Sequence, residues 1–111
     1  MWIFTQTGFV SAVRNKYDSE QLLVRSRDRV SLEPLALYAD EAITPSPEGD
    51  YPYRLSVRDD VFGQWLDIQL AELDYENFKS RVSKTRGPEY AHHLMDVWSA
   101  MLETEDEEAH Q

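Results

Sequence analysis

Four arginines, Arg25, Arg27, Arg54 and Arg58, stand at alternate positions in two short runs of the chain. In Gln21–Arg27 (QLLVRSR), Leu22 and Val24 on one side of an extended backbone put Leu23, Arg25 and Arg27 on the other. In Tyr51–Arg58 (YPYRLSVR), Tyr51, Tyr53, Leu55 and Val57 alternate with Pro52, Arg54, Ser56 and Arg58 in the same way. If the two strands lie side by side, all four guanidiniums line one sheet surface. Their planar forks of N–H donors match the oxygens of a phosphate, a carboxylate or an acidic protein, so the chemistry is anion capture. Tyr51 and Tyr53, close to a loop, are the aromatic side chains expected to flank that surface as interaction anchors. The plainer alternative pairs these arginines with nearby acids such as Asp28, Asp59 and Asp60.

A second basic group lies in Lys79–Arg86 (KSRVSKTR), where Lys79, Arg81, Lys84 and Arg86 place four positive charges in eight residues without an acid. It is suited to an anionic partner, a nucleic-acid backbone included. Cations near the end of a helix also complement its dipole, and that structural role is the simpler explanation. His92 and His93 are adjacent, so on a helix they point about 100° apart and cannot share an ion well. With no cysteine and only His110 elsewhere, no metal site is expected. Asp96 can orient either imidazole, but no serine sits at a nucleophile elbow to complete a hydrolase triad. The acids at Asp59-Asp60, Glu48, Asp50 and Asp74 fit caps and turns, and the four glycines form no phosphate-cradling loop. No catalytic residues and no cofactor are expected; a small hydrolase built on a histidine and a carboxylate is the remote alternative.

These side chains must be positioned by a fold, and Tyr51–Leu73 is the stretch that organises it. At Asp59 the period-2 rhythm gives way to Val61, Phe62, Trp65, Leu66, Ile68 and Leu73 at helical spacing, with Asp59 as the expected N-cap. Before it, Trp2–Arg14 reads as two short strands meeting near Thr7-Gly8, or one strand with a bulge. Gln21–Arg27 is the third strand. Ser31 is the expected cap of a short helix, Leu32–Ala39, and Ala42–Thr44 a brief strand before the Pro45–Asp50 loop. After the central helix, Asp74 is expected to cap a helix over Tyr75–Ser83. Gly87-Pro88 then separates it from a last helix, Glu89–Leu102, with Tyr90, Leu94, Val97, Trp98 and Met101 as its apolar stripe. Trp2, Phe4, Phe9, Phe62, Trp65, Phe78, Tyr90 and Trp98 are assigned mainly to packing, with Trp2 the aromatic best placed to be an exception. The order implies an α+β domain, a mainly antiparallel sheet of four or five short strands covered by helices, and a ferredoxin-like variant with added C-terminal helices is one candidate.

At 111 residues the chain is long enough for one domain, expected over residues 1–102, followed by an acidic, disordered tail over 103–111. The formal charge of −10 divides evenly: Glu103, Glu105, Asp106, Glu107 and Glu108 account for half, and the remaining chain sets 16 acids against 11 bases. Such a body should not adhere generally to nucleic acid. The absence of cysteine fits a reducing compartment, and the N-terminus reads as neither a signal peptide nor a membrane span. A cytoplasmic protein is the expectation.

The opening MWIFTQTGF with Ser11, the LLVRSRDR segment, the DYPYRLSV strand, and DYENFKSRV followed by VWSAM resemble a group of small uncharacterised bacterial and phage proteins of about this length. The likeness spans most of the chain in the same order, apart from the Pro45–Glu48 loop and the acidic tail. It implies a phage or mobile-element setting, where small inhibitors and regulators are common, and carries over no activity or residue role. Together these features point to a non-catalytic, macromolecule-binding protein. A protein partner bound by an acidic inhibitor or regulator, a counter-defence type included, is the first expectation, with the acidic body and tail engaging a basic surface and mixed arginine and aromatic side chains as anchors. A nucleotide or nucleic-acid binder using the arginine-lined face is the second. Self-association through an edge strand is compatible with either.

Overall fold

The computed structural model describes residues 1–110 of the chain. In order, the elements are β1 (Trp2–Thr5), β2 (Gly8–Arg14), β3 (Gln21–Ser26), α1 (Arg29–Ala39), β4 (Thr44–Pro45), β5 (Tyr53–Arg58), α2 (Asp59–Ala71), α3 (Phe78–Arg86) and α4 (Pro88–Leu102). The contacts gather into two compact units, Met1–Asp74 and the segment from Tyr75 onward.

The first unit is a five-stranded sheet in the order β1-β2-β3-β5-β4, antiparallel at every neighbouring pair. This is the α+β class that the element order implies. It is not ferredoxin-like, because three strands precede the first helix and no two neighbouring strands run parallel. Strand alternation puts Val10, Ala12, Val24, Leu55 and Val57 on one face, and α1 and α2 close it with Leu32, Leu35, Phe62 and Trp65. Each fully buried Val, Leu or Phe among them contributes about 1.5–3 kcal/mol by leaving water, so this layer carries most of the unit's stability.

Local chemistry sets the helix ends, in three places differently from what residue type suggests. The cap of α1 is Asp28, whose carboxylate accepts from Ser31 N–H at 3.2 Å. Ser31 lies inside the first turn, buried, where its Oγ accepts from the Phe9 N–H at 3.3 Å instead. At α2 the N-cap position is Arg58 and Asp59 is already helical, its carboxylate paired with Arg14 at 2.8 Å. Asp59 and Asp60 in the first turn still favour the helix through its dipole. At α3 the cap is Asn77, not Asp74: its Oδ1 accepts from Ser80 N–H at 2.9 Å, and the helix starts at Phe78. The brief fourth strand falls at Thr44–Pro45 rather than Ala42–Thr44, with the proline on a sheet edge, where a missing N–H is tolerated.

In the second unit, Gly87 at φ 94° ends α3 and opens α4, with Pro88 at the first helical position, as the sequence anticipates. Val82 of α3 and Ala91 of α4 are its buried residues. The apolar stripe expected to bury α4 does so only at its start. Val97, Trp98, Met101 and Leu102 are exposed, Trp98 to 61%. Periodicity defines an apolar face but not what covers it. The tail includes a 3₁₀ turn at Glu107–His110, and Gln111 lies outside the described residues. Among the described residues no helix is long and apolar enough to cross a membrane.

Candidate anion-binding surface

β3 and β5 are hydrogen-bonded neighbours, so the condition for a shared arginine surface is met. Register decides its geometry. Arg25 and Arg54 are directly opposite each other, and the same line continues through Ser11 to Trp2 on one side and to Thr44 on the other. Trp2, Ser11, Arg25, Arg54 and Thr44 thus form one row across all five strands. Since Val24, Leu55 and Val57 face the helices, this row belongs to the far face, the one α1 and α2 leave uncovered.

Arg25 is held in place. Its Nη2 donates to Ser11 Oγ at 2.9 Å, and its guanidinium lies 4.7 Å from the centre of the Tyr51 ring. Arg27 reaches the same ring at 4.2 Å and donates to the Asp50 carbonyl. Tyr51 is therefore a floor beneath two guanidiniums and is only 6% exposed. A period of two puts it on the same face as Tyr53. The strand begins only at Tyr53, however, and the irregular Tyr51-Pro52 link turns the Tyr51 ring toward Phe9, 6.5 Å away. Tyr53 packs against the helix-covered core, with Arg29 5.9 Å from its ring, and is not part of this surface.

Arg54 has no hydrogen bond or ion pair among the described residues, and its Nε, like that of Arg25, is buried without a partner. The Pro45–Asp50 loop closes over it, fastened by Ser46 N–H to the Pro52 carbonyl at 2.7 Å. A Cβ on Gly49 would stand 2.6 Å from Arg54 Nη2, so a glycine lets the backbone approach the guanidinium. Toward β1 the face becomes aromatic: Phe4 stacks on Phe9 at 4.7 Å and Trp2 meets Phe9 edge-on at 5.6 Å. Trp2 is 70% exposed.

Arg58 departs from the group. It donates to Asp60 Oδ1 at 3.1 Å and lies 3.9 Å from Glu20, which is the plainer reading realised. The Arg58 hydrogen bond holds the Asp60 carboxyl below its usual range, and Asp60 in turn raises Arg58. No such acid lies within ion-pair distance of Arg25, Arg27 or Arg54 among the described residues.

Comparison with protein-family models, curated proteins and solved structures gives no match.

The other sequence candidates are placed on α3 and α4. Arg81 lies 4.9 Å from the Tyr75 ring and Arg86 3.8 Å from Tyr90, while Lys84 and Arg86 occupy the last turn of α3, where cations suit the dipole; Lys79 is exposed near its start. His92 and His93 are exposed on α4, and no metal-holding cluster occurs among the described residues. The residue that the spacing did not single out is Ser11. A hydroxyl in the middle of the apolar FVSAV run was its signal, since a buried polar group needs a partner. At 1% exposure it orients Arg25 and is out of reach of a substrate.

Proposed function

We propose that this chain is a non-catalytic binding protein that docks a macromolecular partner on the far face of its sheet, and that the partner is a protein presenting negative charge. The observation that carries this reading is the in-register Arg25–Arg54 pair, without a carboxylate partner among the described residues in a chain with 21 acidic side chains. Arginine and tryptophan are the residue types most enriched among interface hot spots, and Trp2 and Phe4 extend the same surface. Against the acidic background a local cluster of guanidiniums gives orientation and specificity. The resemblance to bacterial and phage proteins, and the lack of cysteine, supply the setting: a cytoplasmic inhibitor or regulator.

A photoreactive residue in place of Trp2, and in a second sample in place of Leu37 on α1, tests the docking face. A specific protein cross-link from position 2, absent from position 37 and lost in Arg25→Gln/Arg54→Gln, is the expected result. Equal cross-linking from both positions sinks the proposal.

The second reading is a nucleotide or a short single strand, favoured by the exposure of Trp2 in the arginine row, where a base can stack. It requires affinity that falls steeply with salt.

A further inference from the structure

We infer that Arg25 and Arg54 form a phosphoryl-group subsite, so that the partner docked on the far face is recognised by a phosphate monoester it carries; this rests on the docking face proposed above. Side chains directly opposite on an antiparallel pair have Cβ atoms about 5 Å apart, close enough for two guanidiniums to share one ligand. Like charges in that position repel, and among the described residues no acid offsets them, although Arg58, on the same strand, is given two. A missing counter-charge beside a fastened Arg25 is what an external anion completes.

The charge and donor count select the anion. A carboxylate brings one charge and two oxygens, which a single arginine fork satisfies. A phosphate monoester brings about −1.5 to −2 charges and three terminal oxygens, enough for two forks at once. Arg27, over the same Tyr51 ring as Arg25, adds a third positive charge at the site's edge. Both Nε atoms are shut off from solvent, so the anion is held by the terminal Nη groups. Arg25 is fixed by Ser11 and Tyr51, while Arg54 has only the loop above it, so one donor is pre-set and the other closes on the ligand.

Thermal unfolding in inorganic phosphate against chloride at equal ionic strength is the test. At a phosphate concentration about tenfold above its dissociation constant, the melting temperature should rise by about 5 °C. Arg54→Gln should melt higher than the parent in chloride, because the repulsion is gone, and lose the phosphate response. Arg58→Gln should keep it. No phosphate-specific rise in the parent, or an undiminished rise in Arg54→Gln, overturns the subsite while leaving the cross-linking result for the docking face intact. A phosphoserine peptide should bind at least tenfold more tightly than its unphosphorylated form, and this preference should vanish in Arg54→Gln. A nucleoside monophosphate that binds more tightly than the phosphopeptide overturns the protein partner rather than the subsite.

Discussion

The two faces of the sheet are made by alternate residues of the same strands, and they are finished in opposite ways. The helix-covered face places Val24, Leu55 and Val57 against Trp65 and Leu32, all at most 3% exposed. The far face, one residue out of step, places Arg25 and Arg54 side by side and ends in an exposed Trp2. One side uses branched aliphatic residues that need nothing further; the other uses guanidiniums and rings whose donor and stacking capacity exceeds what the chain supplies. A strand with a period of two thus divides its residues between a closed apolar face and a face of guanidiniums and rings.

Tryptophan makes the widest contrast. Trp65→Ala should cost about 3–5 kcal/mol, because it removes a fully packed ring and leaves a cavity. Trp2→Ala should cost less than about 1 kcal/mol, as expected for an exposed side chain. Urea denaturation of both variants measures the gap, and similar costs would break the distinction between the faces. Ser11→Ala sharpens it at intermediate size. It removes a hydrogen bond to a charged donor, worth about 1.5–3 kcal/mol, and should loosen Arg25 without exposing the core. Equilibrium unfolding gives the loss, and NMR relaxation of the Arg25 side chain gives the mobility. The smallest effect belongs to Asp60. Its folded-state pKa is lowered, so its contribution is present above the unfolded value of about 3.9 and fades as pH falls through the folded one. Asp60→Asn and the parent should therefore differ in stability above about pH 4 and converge in stronger acid, by a margin that exposure keeps small. A difference growing toward acid pH would contradict the assignment.

Much of this division is legible in the residues themselves. The alternation in Gln21–Ser26 and Tyr53–Arg58 assigns each arginine to the correct side of its strand, and the change of rhythm at Asp59 marks where β5 becomes α2. Register is not legible, because it is fixed by turns and distant packing; only the structure puts Arg25 opposite Arg54 and leaves Arg58 beside Glu20 and Asp60. The caps fail for a related reason. Asp28 and Ser31, or Asp74 and Asn77, are all capping types, and which one takes the role depends on where the first turn closes. Tyr51 escapes the pattern because alternation holds only within a regular strand.

The strand order also makes the two margins of the sheet unequal. At one margin β4 is two residues long and ends in Pro45, which has no N–H to offer. At the other, β1 presents its outer main-chain groups next to Trp2 and Phe4. A strand added to this sheet would pair along β1 rather than β4, beside the aromatic end of the arginine row.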